Sequence, residues 1–146
     1  MNPSLVETSN KEMAEGSYSM RDADLMTLTP HNPSVLVVDD DPLMESLIKR
    51  IAKDTPTRLR FAYDAEEAQR MVESEVPTLI ISDYQMPGMD GMSFLERIKL
   101  RYPSVRCVLH TGFDKVRAPS GSNIHLLRKP CPNEVLRELI AKVGIA

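Results

Sequence analysis

Short apolar runs alternate with amphipathic stretches from residue 34 onward, and this alternation limits the possible folds more than any other feature. Two of the runs, Val35–Val38 and Leu79–Ile81, carry no polar position, which is typical of strands buried on both faces of a sheet. The pattern predicts five strands, at Val35–Val38, Thr57–Tyr63, Leu79–Ile81, Val105–His110 and Ile124–Arg128. Apolar residues at helical spacing predict helices from Pro42 to Ile51, after Asp64, from Ser93 to Arg101 and from Asn133 to Val143. Such alternation forms parallel βαβ units, so we predict an α/β fold with a doubly wound sheet.

The composition excludes several classes of protein. The 146 residues carry a net charge of −3, which argues against nucleic-acid or anionic-membrane partners. No apolar run approaches the ~20 residues of a membrane span. The two cysteines form no metal-binding or disulfide pattern, so we expect a reduced protein in the cytoplasm.

The first 33 residues differ from the remainder. They are rich in polar residues and close with Pro30 and Pro33, which both resist helix. We therefore expect an N-terminal extension at residues 1–33, flexible or partly helical, followed by one domain at residues 34–146.

Polar residues with complementary chemistry follow four of the predicted strands. Asp39-Asp40-Asp41 follows the first strand and Asp83 the third, while Thr111 and Lys129 follow the fourth and fifth. In a doubly wound sheet the carboxyl ends of the strands form the binding edge, so these side chains should converge. Clustered carboxylates suit Mg²⁺ or Mn²⁺, and a lysine and a hydroxyl beside them can hold phosphoryl oxygens. A carboxylate can itself be the nucleophile and form an aspartyl phosphate.

Four stretches make the chain resemble the response-regulator receiver domains of two-component signalling, including the chemotaxis regulators. They read VLVVDDDP, LIISDYQMPGMDG, VLHTG and LLRKP, and the resemblance extends from about Ser34 to Val143. The resemblance implies a five-stranded, flavodoxin-like sheet of order 2-1-3-4-5.

The resemblance also implies a role for each matching residue. Asp39 and Asp40 would hold Mg²⁺, and Asp83 would be both the phosphoacceptor and a metal ligand. Gln85 would add its main-chain carbonyl to the metal. Thr111 would bind a phosphoryl oxygen, and Lys129 would pair with the phosphoryl group, with a cis peptide bond before Pro130.

Two departures from the family pattern concern the region after Thr111. The family's aromatic switch position, three residues before the lysine, holds Leu126. Lys129 lies only 18 positions after Thr111, a spacing shorter than the family usually leaves by roughly one helical turn. We therefore expect a shortened or irregular fourth helix within Phe113–Asn123, and we expect this segment to carry the output signal.

The resemblance implies Mg²⁺-dependent self-phosphorylation from a sensor histidine kinase or a histidine phosphotransfer protein, slow autodephosphorylation, no separate substrate, and output through protein partners. Two alternatives stay open. A pseudo-receiver would have the same fold and act only as an interaction module. A haloacid-dehalogenase-type phosphatase would use Asp39-Asp40-Asp41 as its nucleophile motif, but that family needs further acids after the lysine.

Overall fold

The computed structural model describes residues 33–144, which form a parallel sheet with helices on both faces. The elements in chain order are β1 (Ser34–Val38), α1 (Pro42–Ile51), β2 (Arg58–Ala62), α2 (Ala65–Ser74), β3 (Leu79–Asp83), α3 (Gly91–Arg101), β4 (Arg106–Thr111), β5 (Ile124–Arg128), α4 (Asn133–Ala141) and a 3₁₀ turn (Lys142–Gly144). The strands lie in the order β2-β1-β3-β4-β5, all parallel, which confirms the predicted flavodoxin-like sheet. The predicted extension lies outside the described residues except for Pro33.

Three of the four helices begin at an aspartate that caps them. The Asp41 carboxylate accepts the amide of Leu43 at 2.9 Å, and Asp64 and Asp90 accept the amides three residues ahead, each at 2.8 Å. Each bond satisfies a main-chain donor that the first helical turn leaves unpaired. The longest of the four helices, α3, has 11 residues. Within residues 33–144, none has the length and hydropathy needed to cross a bilayer.

The sheet separates two apolar layers. All five residues of β1 are buried, which explains why its sequence shows no alternation. On one face α2 and α3 pack against Leu36 and Val38 of β1, and on the other α1 and α4 pack against Val35 and Val37. The carboxyl ends of the strands remain uncovered at one edge, where the site described below lies.

The connection from β4 to β5 contains no helix. Residues 112–123 form two turns joined by irregular chain, so the expected shortened or irregular fourth helix is reduced to none. Pro119 and Gly121 disfavour a helix here, and Gly121 adopts a φ of 77°. The guanidinium of Arg128 donates to the carbonyls of Phe113 and Val116 and holds the segment against the sheet.

Candidate functional site

The predicted site residues converge at the carboxyl edge of the sheet. Asp39 follows β1, Asp83 ends β3, Thr111 ends β4 and Lys129 follows β5. The Lys129 ammonium lies 3.2 Å from Asp83 Oδ1 and 3.9 Å from Asp39 Oδ2. The peptide bond between Lys129 and Pro130 is cis, as the resemblance implied. One cationic group therefore bridges acidic residues that are 44 positions apart in the sequence.

Asp39, Asp40 and Asp83 form a compact acidic cluster. Each contributes a carboxylate oxygen, and these oxygens all lie within 4.8 Å of one another. Asp39 is buried, Asp83 is half-buried and Asp40 is exposed. Burial, reinforced by the charges of Asp83 and Asp40, raises the pKa of Asp39, although the Asp41 amide and Lys129 act in the opposite direction. Hard oxygen donors that repel one another in this way fit a divalent cation such as Mg²⁺.

Two hydrogen-bond donors hold the carboxylate of Asp83. Its Oδ1 accepts the amide of Tyr84 at 2.9 Å as well as the Lys129 ammonium. The loop that follows closes tightly over the strand end, because Gly91 donates its amide to the Tyr84 carbonyl at 2.8 Å. A carboxylate fixed in this way can present its remaining oxygen to an electrophile.

Thr111 is almost fully buried, with 2% of its surface exposed. Its Oγ1 accepts the amide of Phe113 at 3.0 Å, and its carbonyl accepts the amide of Lys129 at 2.9 Å. Thr111 is therefore bonded both to the lysine's main chain and to the segment between β4 and β5. Gln85 is exposed in the loop after Asp83, and its role as a metal ligand stays a prediction.

The sequence analysis assigned no function to two features that lie near the site. His110 is 5% exposed and lies beside Asp83 in the sheet register, and its Nε2 has no partner among the described residues. Tyr84 and Phe113 form an edge-to-face aromatic pair with ring centroids 5.5 Å apart. A histidine inside a strand buried on both faces was a visible signal, whereas the aromatic contact depends on two loops that meet only in the folded chain.

Comparisons with known proteins match this architecture. The family model described as the response regulator receiver domain matches residues 35–141. An uncharacterized 14.6 kDa protein of Leptolyngbya boryana is 31% identical over 110 residues, which cover 70% of this chain and 84% of that protein. A protein-glutamate methylesterase/protein-glutamine glutaminase of Cereibacter sphaeroides is 37% identical over 82 residues, 53% of this chain but only 22% of that protein.

Among solved structures, the signal receiver domain of an HD domain-containing protein from Pseudomonas fluorescens Pf-5 superimposes with a TM-score of 0.70 and 29% identity. The match covers 77% of this chain and 87% of that one.

Proposed function

Because the chain belongs to the family of response regulator receiver domains, we propose that it accepts a phosphoryl group on Asp83 from a phosphohistidine donor. The donor would be a sensor histidine kinase or a histidine phosphotransfer protein. One observation carries this proposal, namely the Lys129 ammonium 3.2 Å from the Asp83 carboxylate, opposite two further aspartates. Phosphoryl transfer depends mainly on positioning and charge neutralisation, which this arrangement supplies.

The transfer would proceed by attack of an Asp83 carboxylate oxygen on the phosphorus atom. The new bond is an acyl phosphate, and the bond that breaks joins phosphorus to the donor's imidazole nitrogen, which keeps the electron pair. Lys129 neutralises charge on the transferred group. The Thr111 hydroxyl donates to a phosphoryl oxygen while its own oxygen lies within reach of the Phe113 amide.

Asp39, Asp40 and Asp83 would hold Mg²⁺, with the main-chain carbonyl of Gln85 as a further ligand, and Mn²⁺ takes the same kind of donors. When bound, the cation neutralises negative charge on the phosphoryl oxygens. Burial and, to a lesser extent, the neighbouring charges of Asp83 and Asp40 raise the pKa of Asp39, so its ionised form is costly unless a cation is bound.

The chain would act in the cytoplasm by passing the phosphorylated state to a protein partner. It would lose the phosphoryl group slowly by hydrolysis and turn over no separate substrate.

Intact-mass measurement tests this function directly. With Mg²⁺ and acetyl phosphate, the full chain should gain the mass of one phosphoryl group, and acid or hydroxylamine treatment should identify an acyl phosphate. Asp83→Asn should abolish the gain. Asp41→Asn is the matched control, because it removes a neighbouring carboxylate and asparagine still caps α1. Undiminished phosphorylation of the Asp83→Asn protein would refute the assignment.

A further inference from the structure

Phe113 lies near the start of the helix-free segment between β4 and β5, and its main chain is bonded to both of these strands. Its amide donates to Thr111 Oγ1, 3.0 Å away, at the end of β4. Its carbonyl accepts a hydrogen bond from the guanidinium of Arg128, the last residue of β5. Thr111 and Arg128 are register partners in the parallel sheet. One residue of the segment is therefore held by two neighbouring strand ends.

The bond to the Phe113 amide determines which hydrogen bond the Thr111 side chain can still make. A threonine hydroxyl offers one hydrogen and two lone pairs. The amide of Phe113 occupies a lone pair, whereas the hydroxyl hydrogen has no acceptor among residues 33–144. Thr111 is 2% exposed, so this hydrogen also has little access to solvent. The hydroxyl is thus held as an acceptor by the segment and is left as a donor for another group.

Arg128 holds the segment more firmly than a single hydrogen bond would. Its two terminal nitrogens donate to the carbonyls of Phe113 and Val116, the second at 2.8 Å. Two bonds from one planar, charged group fix orientation as well as distance. Within the described part of the chain, no other side-chain donor from outside residues 112–123 bonds to this segment. Arg128 is itself exposed, so its substitution removes both bonds without opening the core.

We propose that Arg128 is a positioning residue for the reaction at Asp83. By holding the carbonyls of Phe113 and Val116, it keeps the Phe113 amide on Thr111 Oγ1. The hydroxyl hydrogen of Thr111 then stays free to bond the transferred group. This assignment rests on the proposed function, in which Thr111 donates to a phosphoryl oxygen. Arg128 acts on the reaction only through Phe113 and Thr111.

A double-mutant cycle tests whether Arg128 acts through Thr111. The measured quantity is the rate at which the full chain gains phosphoryl mass from acetyl phosphate at saturating Mg²⁺. Arg128→Ala should slow this rate about fivefold, because the Thr111 hydroxyl is no longer held in one orientation. Thr111→Val keeps the shape of the side chain but removes the hydroxyl. In the Thr111→Val chain, Arg128→Ala should change the rate by less than about twofold.

Equal slowing by Arg128→Ala in the two backgrounds, or no slowing in the parent chain, would overturn the proposal. Arg117→Ala is the matched control and should react at the parent rate. It removes an exposed arginine that also donates to main-chain carbonyls, but only to those of Asp114 and Val116 within the segment itself.

Arg128→Lys separates orientation from charge. Lysine keeps the positive charge, but its ammonium lacks the planar pair of donors, so this chain should react about as slowly as Arg128→Ala. A rate equal to that of the parent chain would show that charge alone is sufficient and would reject the positioning role.

The amide of Phe113 supplies a measurement that does not depend on phosphorylation. Nuclear magnetic resonance of the unphosphorylated full chain should show about fivefold faster hydrogen exchange at Phe113 in Arg128→Ala and no change in Arg117→Ala. Unchanged exchange in Arg128→Ala would overturn the proposal. A parent chain that takes up no phosphoryl group would reject the proposed function. A parent chain that reacts no faster than Arg128→Ala would instead reject the positioning role alone.

Discussion

His110 is a buried imidazole that neither the fold nor the proposed chemistry accounts for. Burial, helped by the positive charge of Lys129, lowers its pKa from 6.5 to about 4. The folded chain therefore keeps His110 neutral at pH values where the unfolded chain would protonate it. Because the unfolded state then binds more protons, stability is fully present above pH 6.5 and is lost as the pH falls towards 4.

We predict that the parent chain loses roughly 2–3 kcal/mol of its free energy of unfolding through His110 as the pH falls from 6.5 to about 4. The His110→Leu chain should not show this loss. Urea unfolding at several pH values gives the free energy of unfolding of both chains, and so the slope of that free energy against pH for each. His125→Leu is the control, since it makes the same substitution at a histidine that is exposed in the folded chain. Identical pH slopes for the parent chain and His110→Leu would contradict this account.

Gly91 shows how closely the site loop packs against the sheet. A Cβ atom at this position would lie 1.9 Å from the Asp83 carbonyl oxygen and 2.9 Å from a methyl carbon of Leu109. The Asp83 carbonyl belongs to the main chain and cannot rotate away as the end of a flexible side chain can. The loop after Asp83 or helix α3 would therefore have to shift. Alanine's better helix propensity, worth up to ~1 kcal/mol, is too small to offset such a clash.

We predict that Gly91→Ala lowers the free energy of unfolding by about 3 kcal/mol, as overpacking of a dense site does. Chemical denaturation measures this, with Gly112→Ala as the control. A Cβ at Gly112 would meet only Lys129 Cβ at 3.7 Å, an ordinary contact, so its effect should stay within about 1 kcal/mol. Comparable effects of the two substitutions would show that the close approach carries no special cost.

At the scale of whole elements, the segment between β4 and β5 is the part most able to change. It contains turns and irregular chain where every other β-to-β connection contains a helix. Its contact with the site is direct, because Thr111 Oγ1 accepts the Phe113 amide. Phosphorylation would draw the Thr111 hydroxyl towards Asp83 and so alter this bond. Leu126, at the family's aromatic switch position, has no ring to transmit the change.

We predict that binding of beryllofluoride and Mg²⁺ to the chain changes amide hydrogen exchange within Thr111–Asn123, starting at Phe113. Hydrogen-exchange mass spectrometry of the full chain, with and without these two ligands, measures the change. The amides of α2 should exchange equally in both states and serve as the internal control. Changes restricted to the loop from Asp83 to Asp90 would place the response elsewhere.

At the scale of the molecule, three acidic side chains are concentrated at one place. The cluster of Asp39, Asp40 and Asp83 lies at the carboxyl edge of the sheet. Without a cation, ionised Asp39 opposes folding, because burial raises its pKa and disfavours its charged form. Because the pKa of Asp39 is raised in the folded chain, this cost grows as the pH rises above the ordinary aspartate value and Asp39 ionises.

We predict that Asp40→Asn raises the midpoint of thermal unfolding in EDTA and weakens Mg²⁺ binding by roughly tenfold or more. Differential scanning fluorimetry across a Mg²⁺ titration gives both quantities. Asp54→Asn, which removes an exposed carboxylate outside the cluster, should leave Mg²⁺ binding unchanged. An Asp40→Asn protein with unaltered Mg²⁺ affinity would exclude Asp40 from the metal site.

Much of this molecule follows from its sequence by itself. Unbroken apolar runs such as Val35–Val38 determine strands buried on both faces, because a polar side chain there would lose its hydration without a partner. Strand-and-helix alternation then brings Asp39, Asp83, Thr111 and Lys129 to one edge, since parallel strands share the direction of their carboxyl ends. Even the aspartate caps before the helices could be identified from local patterns.

Only the tertiary structure decided which groups meet between elements that are distant in the chain. The short β4–β5 connection predicted a weakened helix, but not that Arg128 would hold the segment through main-chain carbonyls. Nor did any local pattern place Gly91 against the Asp83 carbonyl or Tyr84 against Phe113. Periodicity reports which face of an element is buried, whereas distances between loops depend on how all the elements pack at once.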